Sequence, residues 1–193
     1  MHDAFAALLR QPTARRYKQL RSRLLSAGLP NDFSLRLAEL ERLLAAQEFI
    51  AARALAGELL SAGLLSLGLH RLSGQLALEQ GQQARAELHR FTYDSLCVAI
   101  LATGDGTRRR PLLTTYVSDA ADLLTAQGFE VLSQSLIEEN ARRYDVLLCR
   151  NEREFWFDVT DLLPQTAITA ACNRRPKAGA SIKRRRERAV SRR

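Results

Sequence analysis

Cysteine and histidine, which often indicate a metal site or a catalytic site in a sequence, are scarce in this chain. Its three cysteines lie far apart and form no CxxC pair, which excludes a disulfide framework and a cysteine-based metal centre. The three histidines, His2, His70 and His89, are too scattered to predict a metal site, and we expect the last two at the surface or at an interface. We therefore expect no metal, no cofactor and no catalytic residue, with Cys97 and Cys149 as small core residues.

Long apolar segments are also absent. Every apolar stretch is interrupted within a few residues by Arg, Glu or Gln, so the sequence predicts no transmembrane helix. The first ten residues contain a short apolar run, but they lack the basic start, the longer apolar region and the cleavage site of a secretory signal. We therefore expect a cytoplasmic protein. The composition, 46% hydrophobic and 26% charged, is that of a globular domain.

The positive charge of the chain is confined to its last residues. Residues 173–193 contain ten Lys or Arg and one acid, a net charge of +9 against +8 for the whole chain, so residues 1–172 are close to neutral. We expect this tail to be disordered alone. It either binds nucleic acid or acidic lipid non-specifically through its cations, without an aromatic residue to stack on bases, or has no function. The cations are Arg174, Arg175, Lys177, Lys183, Arg184, Arg185, Arg186, Arg188, Arg192 and Arg193.

The pattern of the chain changes at Gly104-Asp105-Gly106. Before this loop, leucine and alanine recur at helical spacing, and after it come β-branched and aromatic residues in short alternating runs. The change predicts an α+β fold, with tetratricopeptide-like helical hairpins packed on a small, mostly antiparallel α+β module. We expect the helical region over 1–102, the module over 103–165 and the flexible basic tail over 166–193.

The helical region divides into hairpins. One or two short helices are predicted over 3–27, with Thr13 as an N-cap, and four more over 33–46, 48–62, 66–80 and 83–102. Four identities recur at an offset of 33 along the chain and share one helical face, which favours a degenerate tetratricopeptide-like repeat over a plain helical bundle. The identical pairs are Leu43 and Leu76, Gln47 and Gln80, Ala51 and Ala84, and Leu55 and Leu88.

The module after the loop mixes strands with one helix. We predict a strand over 111–117, then a helix over 119–127 that Ser118 caps and Gly128 ends. A second strand or irregular segment is predicted over 129–137, and a hairpin over 144–149 and 154–160. The three aromatic residues at 155–157 indicate a sheet buried on both sides.

The order of several short motifs resembles that of an uncharacterised bacterial family with a domain of unknown function. Members of that family carry SGDG, VSDEY, LG, QSL, YDVL and YFD in this order after tetratricopeptide-like helices. The resemblance covers residues 5–160, except that Ala120-Ala121 replaces the acidic-aromatic pair and the basic tail has no counterpart. It implies the architecture above and no established activity. The matching segments are Ile100–Thr107, Tyr116–Asp119, Gly128, Ser133–Leu136, Tyr144–Leu147 and Phe155–Asp158.

Two features of the module suggest chemistry. The loop Gly104-Asp105-Gly106 has too few glycines, and no following helix, for a phosphate loop, so we interpret it as a helix end and a turn closed by Asp105. Asp145 begins one hairpin arm and Asp158 ends the other, an arrangement that a hydrolase would use. With no histidine in the module, we expect these carboxylates to pair with arginines or backbone amides instead.

These observations favour a non-enzymatic protein-interaction or adaptor protein. Its partner is expected to be a protein or peptide that binds an exposed face of the helices. The first alternative is a nucleic-acid-associated protein that acts through the tail, and the second is a hydrolase that uses Asp145 and Asp158. The residues predicted for partner binding are Arg53, Glu58, His70, Arg71, Gln75 and Arg85.

Overall fold

Seven helices followed by a three-stranded antiparallel sheet form the part of the chain that the computed structural model describes, residues 2–162. This order confirms the predicted helical region followed by a small α+β module. The helices are α1 (His2–Arg10), α2 (Ala14–Ala27), α3 (Phe33–Ala45), α4 (Phe49–Leu60), α5 (Leu67–Glu79), α6 (Gln83–Leu101) and α7 (Asp119–Ala126). The strands are β1 (Val131–Glu139), β2 (Arg142–Cys149) and β3 (Glu154–Asp158).

The predicted helix ends are largely confirmed because their capping residues are visible in the sequence. The amide of Arg16 donates to the side chain of Thr13 at 3.4 Å, so Thr13 caps α2 as predicted. The hydroxyl of Ser66 accepts from the amide of Leu69 at 3.2 Å and caps α5 in the same way. Such side-chain bonds satisfy backbone donors that a helix leaves unpaired at its start.

The two central hairpins repeat with a period of 34, so the predicted offset of 33 was wrong by one. The starts of α3 and α5 differ by 34 in residue number, and so do the starts of α4 and α6. The turns match in detail: Gln47 and Gly81 both have positive φ, and the amides of Glu48 and Gln82 bond to carbonyls of Leu43 and Ala77. A period of 34 is that of the tetratricopeptide unit.

The helices and the sheet share two hydrophobic clusters. One joins α1, α2, α6 and α7 to the sheet and includes the fully buried Tyr17, Leu96 and Phe157. The other lies between α3, α4 and α5 and contains Tyr116, whose ring stacks on that of Phe33 with centroids 4.1 Å apart. A residue of the 103–162 segment therefore completes the core of the hairpins.

The sheet has the order β1-β2-β3, and its outer edges differ. Segment 106–112 covers the edge of β3, since Leu112 forms a parallel bridge to Phe157 and the amide of Trp156 donates to the carbonyl of Gly106. Leu132 and Leu136 of β1, at the other edge, are half-exposed, at 55% and 51%. The aromatic run therefore lies against the core, whereas the side chains of β1 are largely in solvent.

Residues 111–117 do not form the predicted strand. They make one bridge to β3 and then turn into the core, where polar partners hold them. Nε of Arg21 donates to the carbonyl of Thr114 at 2.7 Å, and the hydroxyl of Thr115 bonds to that of Tyr17 at 3.0 Å. These contacts take the place of the regular backbone hydrogen bonds that a strand would make with its neighbour.

Helix α7 begins at the predicted residue and ends one residue before the predicted end, but its predicted N-cap was wrong. Ser118 has helical backbone angles and its side chain makes no capping bond. Gly128, with φ of +78°, follows the helix as predicted. Asp119 caps a different helix: its Oδ1 accepts from the amide of Leu67, at the start of α5, at 2.9 Å. This bond ties α7 to the central hairpins.

Candidate functional site

A cavity of about 150 Å³ lies between α4, α5 and α6. Its lining combines polar residues, among them Arg53 of α4 and Arg85 of α6, with apolar ones, and no carboxylate is among the described residues that line it. We call it the α4–α6 cavity. Its lining residues are Arg53, Ala56, Gly57, Leu60, Ser73, Leu76, Ala77, Gln80, Gln82, Arg85 and His89.

A larger groove of about 740 Å³ runs along α5 and α6. Leu78 and Phe91, which are 56% and 52% exposed, give it an apolar surface. Charges of both signs lie beside them, so the groove differs from the all-positive cavity. We call it the α5–α6 groove. Its lining residues are His70, Arg71, Gly74, Gln75, Leu78, Gln83, Ala86, Glu87, Arg90, Phe91, Tyr93 and Asp94.

Two buried histidines lie between these two spaces. His70 lines the groove and His89 lines the cavity, and their Nδ1 atoms are 3.1 Å apart. The prediction of surface or interface histidines was wrong, since the side chains are only 4% and 9% exposed. Their partners explain the error: the two residues are 19 apart in sequence and meet only because α5 and α6 pack together.

The hydrogen bonds fix the protonation of the histidine pair. Nε2 of His70 lies 3.1 Å from the carbonyl oxygen of Leu64, which only accepts, so this nitrogen carries the proton. Burial lowers the pKa of His70 to about 4. The ring is therefore neutral at pH 7, its Nδ1 accepts, and Nδ1 of His89 donates. Burial, followed by the nearby Arg85, lowers the pKa of His89 as well.

The structure divides the predicted partner-binding residues among three places. Arg53 and Arg85 line the α4–α6 cavity, and Arg71 and Gln75 line the α5–α6 groove with the buried His70. Arg71 is also paired with Glu41 and Asp122, at 3.2 and 3.3 Å. Glu58 lines neither space and pairs with Arg36.

Sequence reasoning missed the residues that give both spaces their shape. Ser73 and Leu76 of α5 and Gln80, which follows the helix directly, recur at helical spacing and line the cavity together. Their spacing could have placed them on one face, but the approach of α4 and α6 to that face depends on contacts distant in sequence. Apart from their size, Leu78 and Phe91 had no sequence feature that indicated their place in the groove.

The carboxylates suspected of hydrolysis lie on opposite faces of the sheet. Tyr144 pairs with Asp158 across β2 and β3, while Asp145 pairs with Phe157, and successive side chains alternate between faces. Asp158 accepts from the hydroxyl of Thr160 at 2.6 Å and pairs with Arg142 at 3.8 Å, as expected. The geometry does not bring the two acids together on one substrate.

Among the described residues Asp145 pairs with neither an arginine nor a backbone amide, so the expectation was wrong for this acid. Its carboxylate accepts from the side-chain amide of Gln134 on β1 at 2.6 Å, and burial raises its pKa to about 6. Asp105, by contrast, closes its turn as expected, since its Oδ1 accepts from the amide and the hydroxyl of Thr107, at 3.0 and 2.7 Å. Both motif acids therefore have partners within the fold.

Asp119 is the most deeply buried acid of the motifs. Burial, followed by the charge of Asp122, raises its pKa well above the usual range. Its Oδ2 has no hydrogen-bond partner among the described residues, and the same holds for the hydroxyls of Thr114 and Ser118. We interpret Asp119 as structural, because its Oδ1 caps α5.

Within residues 2–162 no three His, Cys, Asp or Glu side chains gather as a metal site would require. None of the helices in this range is long and apolar enough to cross a membrane. The predicted tail residues, 173–193, lie outside the described part of the chain. No family model matches this sequence, and neither the curated proteins nor the solved structures include a significant match.

Proposed function

We propose that this chain is a non-enzymatic interaction protein whose α5–α6 groove binds a protein or peptide partner. The observation that carries the proposal is the half-exposed pair Leu78 and Phe91 within a groove of about 740 Å³. Large apolar side chains in a concave surface, with polar residues around them, are typical of sites where a partner's apolar side chain is buried.

The charges of the groove favour a partner with both polar and apolar side chains. Arg71 and Arg90 line it together with Glu87 and Asp94, so the groove selects no single sign of charge. Complementary charges fix the register of a partner more than they add affinity. The apolar pair would then supply most of the binding free energy.

A double substitution within the groove tests this proposal. We expect the full chain with Leu78→Ala and Phe91→Ala, used as bait in the native host, to lose partners that the unsubstituted chain retains after nuclease treatment. The matched control is Leu35→Ala with Ile50→Ala, which removes side chains that are 75% and 90% exposed outside the groove. A partner set unchanged by the groove variant, or lost equally in the control, would contradict the proposal.

A second candidate function rests on the net charge of +9 in residues 173–193. Such a segment would bind nucleic acid through phosphate neutralisation, with an affinity that falls steeply with salt. Replacing Lys183, Arg184, Arg185 and Arg186 with Gln in the full chain should weaken binding to a DNA duplex and reduce its salt dependence. The groove variant should bind the duplex unchanged. Duplex binding that is indifferent to salt and to these four substitutions would remove this candidate.

A further inference from the structure

The α4–α6 cavity is suited to a small ligand that the proposed partner groove does not explain. We propose that this cavity binds a small organic carboxylate, with the carboxylate between Arg53 and Arg85 and the aliphatic part against the apolar lining residues. The inference does not rest on the proposed protein-binding function, because the two spaces have different lining residues.

The charge of the cavity is uncompensated. Three arginines of the hairpins, Arg36, Arg42 and Arg71, form ion pairs with described residues, whereas Arg90 forms none and lines the other space. Arg53 and Arg85 form none with a described residue, and the described lining of the cavity contains no acid. Two guanidinium groups from different helices therefore face a space without a counter-charge. An anion that enters this space would form charge-assisted hydrogen bonds.

Three polar residues that line the cavity also hydrogen-bond to one another before a ligand binds. Gln82 accepts from Nη1 of Arg85 at 3.1 Å and donates to the side chain of Gln80 at 3.1 Å, so this arginine is held in place before any ligand arrives. Ser73 is only 5% exposed, and its hydroxyl has no hydrogen-bond partner among the described residues. A buried hydroxyl without a partner is costly, and a ligand oxygen would satisfy it.

The apolar lining residues distinguish a carboxylate from inorganic phosphate. Ala56, Leu60, Leu76 and Ala77 line the cavity, and phosphate would leave them uncovered because all its surfaces are polar. The volume of about 150 Å³ corresponds to about five water molecules, which is room for a carboxylate with a short aliphatic chain. Butyrate has this size and chemistry and serves as the probe.

The test is a calorimetric titration of the full chain with sodium butyrate, sodium acetate and sodium phosphate at one ionic strength. We expect saturable binding of butyrate and binding of acetate that is roughly tenfold weaker, because acetate lacks two methylene groups against the apolar lining residues. We expect no saturable binding of phosphate that depends on Arg53 and Arg85. Phosphate that competes with butyrate with equal affinity would overturn the proposal.

Matched arginine variants separate the cavity from the cationic tail, which attracts any anion. Arg53→Gln and Arg85→Gln should each weaken butyrate binding by about tenfold or more. Arg90→Gln removes an arginine of α6 that lines the other space, and it should leave butyrate binding unchanged. Butyrate binding that is absent, or that survives both cavity substitutions, would overturn the proposal.

Two further variants distinguish a failure of the carboxylate proposal from a failure of the partner proposal. Ser73→Ala should weaken butyrate binding several-fold without lowering stability, because the hydroxyl has no partner in the unliganded fold. Leu78→Ala with Phe91→Ala should abolish partner capture and leave butyrate binding intact. Failure of the partner proposal alone would therefore leave this site standing, and failure of butyrate binding would leave the groove standing.

Discussion

Residues 103–162 and the hairpins α3–α6 differ in where their polar side chains find partners. In the first region the motif acids Asp105, Asp119 and Asp145 bond to nearby or core groups of the fold. In the second, Arg53 and Ser73 line a cavity and have no ion pair or hydrogen bond with other described residues. The comparison teaches that the acids of the motifs have partners that hold the fold, although Oδ2 of Asp119 has none among the described residues, whereas the residues of the proposed ligand site occur in helices without a motif.

The largest expected effect on stability tests whether the loop Gly104-Asp105-Gly106 has a structural role. A Cβ on Gly104 would overlap the backbone carbonyls of Arg110 and Pro111, which have little room to move. We expect Gly104→Ala to lower the free energy of unfolding by about 3 kcal/mol or more, because overpacking against backbone is poorly relieved. Urea unfolding of the full chain measures it. If Gly104→Ala unfolds with the same free energy as the unsubstituted chain, the loop tolerates a side chain at this position. That result would contradict the structural role of the loop.

The next effect concerns the histidine pair of the hairpins. With a pKa of about 4 in the folded chain and 6.5 when unfolded, His70 binds fewer protons in the folded state between these values. The contribution of His70 to the free energy of unfolding therefore falls by up to about 3 kcal/mol as the pH is lowered from 6.5 to 4. Proton NMR should place the midpoint of the His70 ring near pH 4, and the variant His70→Gln should lose less stability on acidification. A ring midpoint near 6.5 would contradict the buried neutral pair.

An effect of opposite sign is expected from the sheet. Burial raises the pKa of Asp145 from 3.8 to about 6, so the folded state binds more protons between these values. The charged carboxylate then lowers stability above pH 6, and this cost disappears as the pH falls towards 4. We expect Asp145→Asn to raise the free energy of unfolding by about 1–3 kcal/mol at pH 8 and not at pH 4. Destabilisation by Asp145→Asn at pH 8, where the carboxylate is charged, would contradict this prediction and indicate that the charge itself is needed.

The helices could be predicted from the sequence because the residues that determine their bounds lie close to those bounds in the chain. Leucine spacing, the cap at Thr13 and the break after Ala27 lie within a few residues of what they determine, and the predicted bounds are close to the observed ones. Residues 111–117 are different. Their β-branched run favours a strand, yet Thr114 and Thr115 bond to Arg21 and Tyr17, which are distant in sequence. Tertiary partners overrode the β propensity of this segment.

The candidate site was predictable only in part, for the same physical reason. Arg53 and Arg85 were named as exposed polar residues of helices, and both line the cavity. Nothing in the sequence indicated that they would face one space or that a buried Ser73 would line the same space. His70 was misplaced because its burial depends on His89 and on the carbonyl of Leu64. Polarity predicts exposure on average, whereas helix packing decides each case.

The smallest expected effect compares a second glycine with Gly104. Gly57 lies within α4 and lines the α4–α6 cavity, and a Cβ there would meet no atom within 4 Å. We expect Gly57→Ala to stabilise the chain by about 0.5–1 kcal/mol, because alanine favours helix more than glycine does. The added methyl group should also narrow the cavity and weaken butyrate binding in the same calorimetric titration. A gain in stability with a loss of binding would mean that this glycine leaves room for a ligand, whereas Gly104 leaves room for the backbone. A gain in stability with unchanged binding would separate Gly57 from the site and restrict the ligand to the part of the cavity near the arginines.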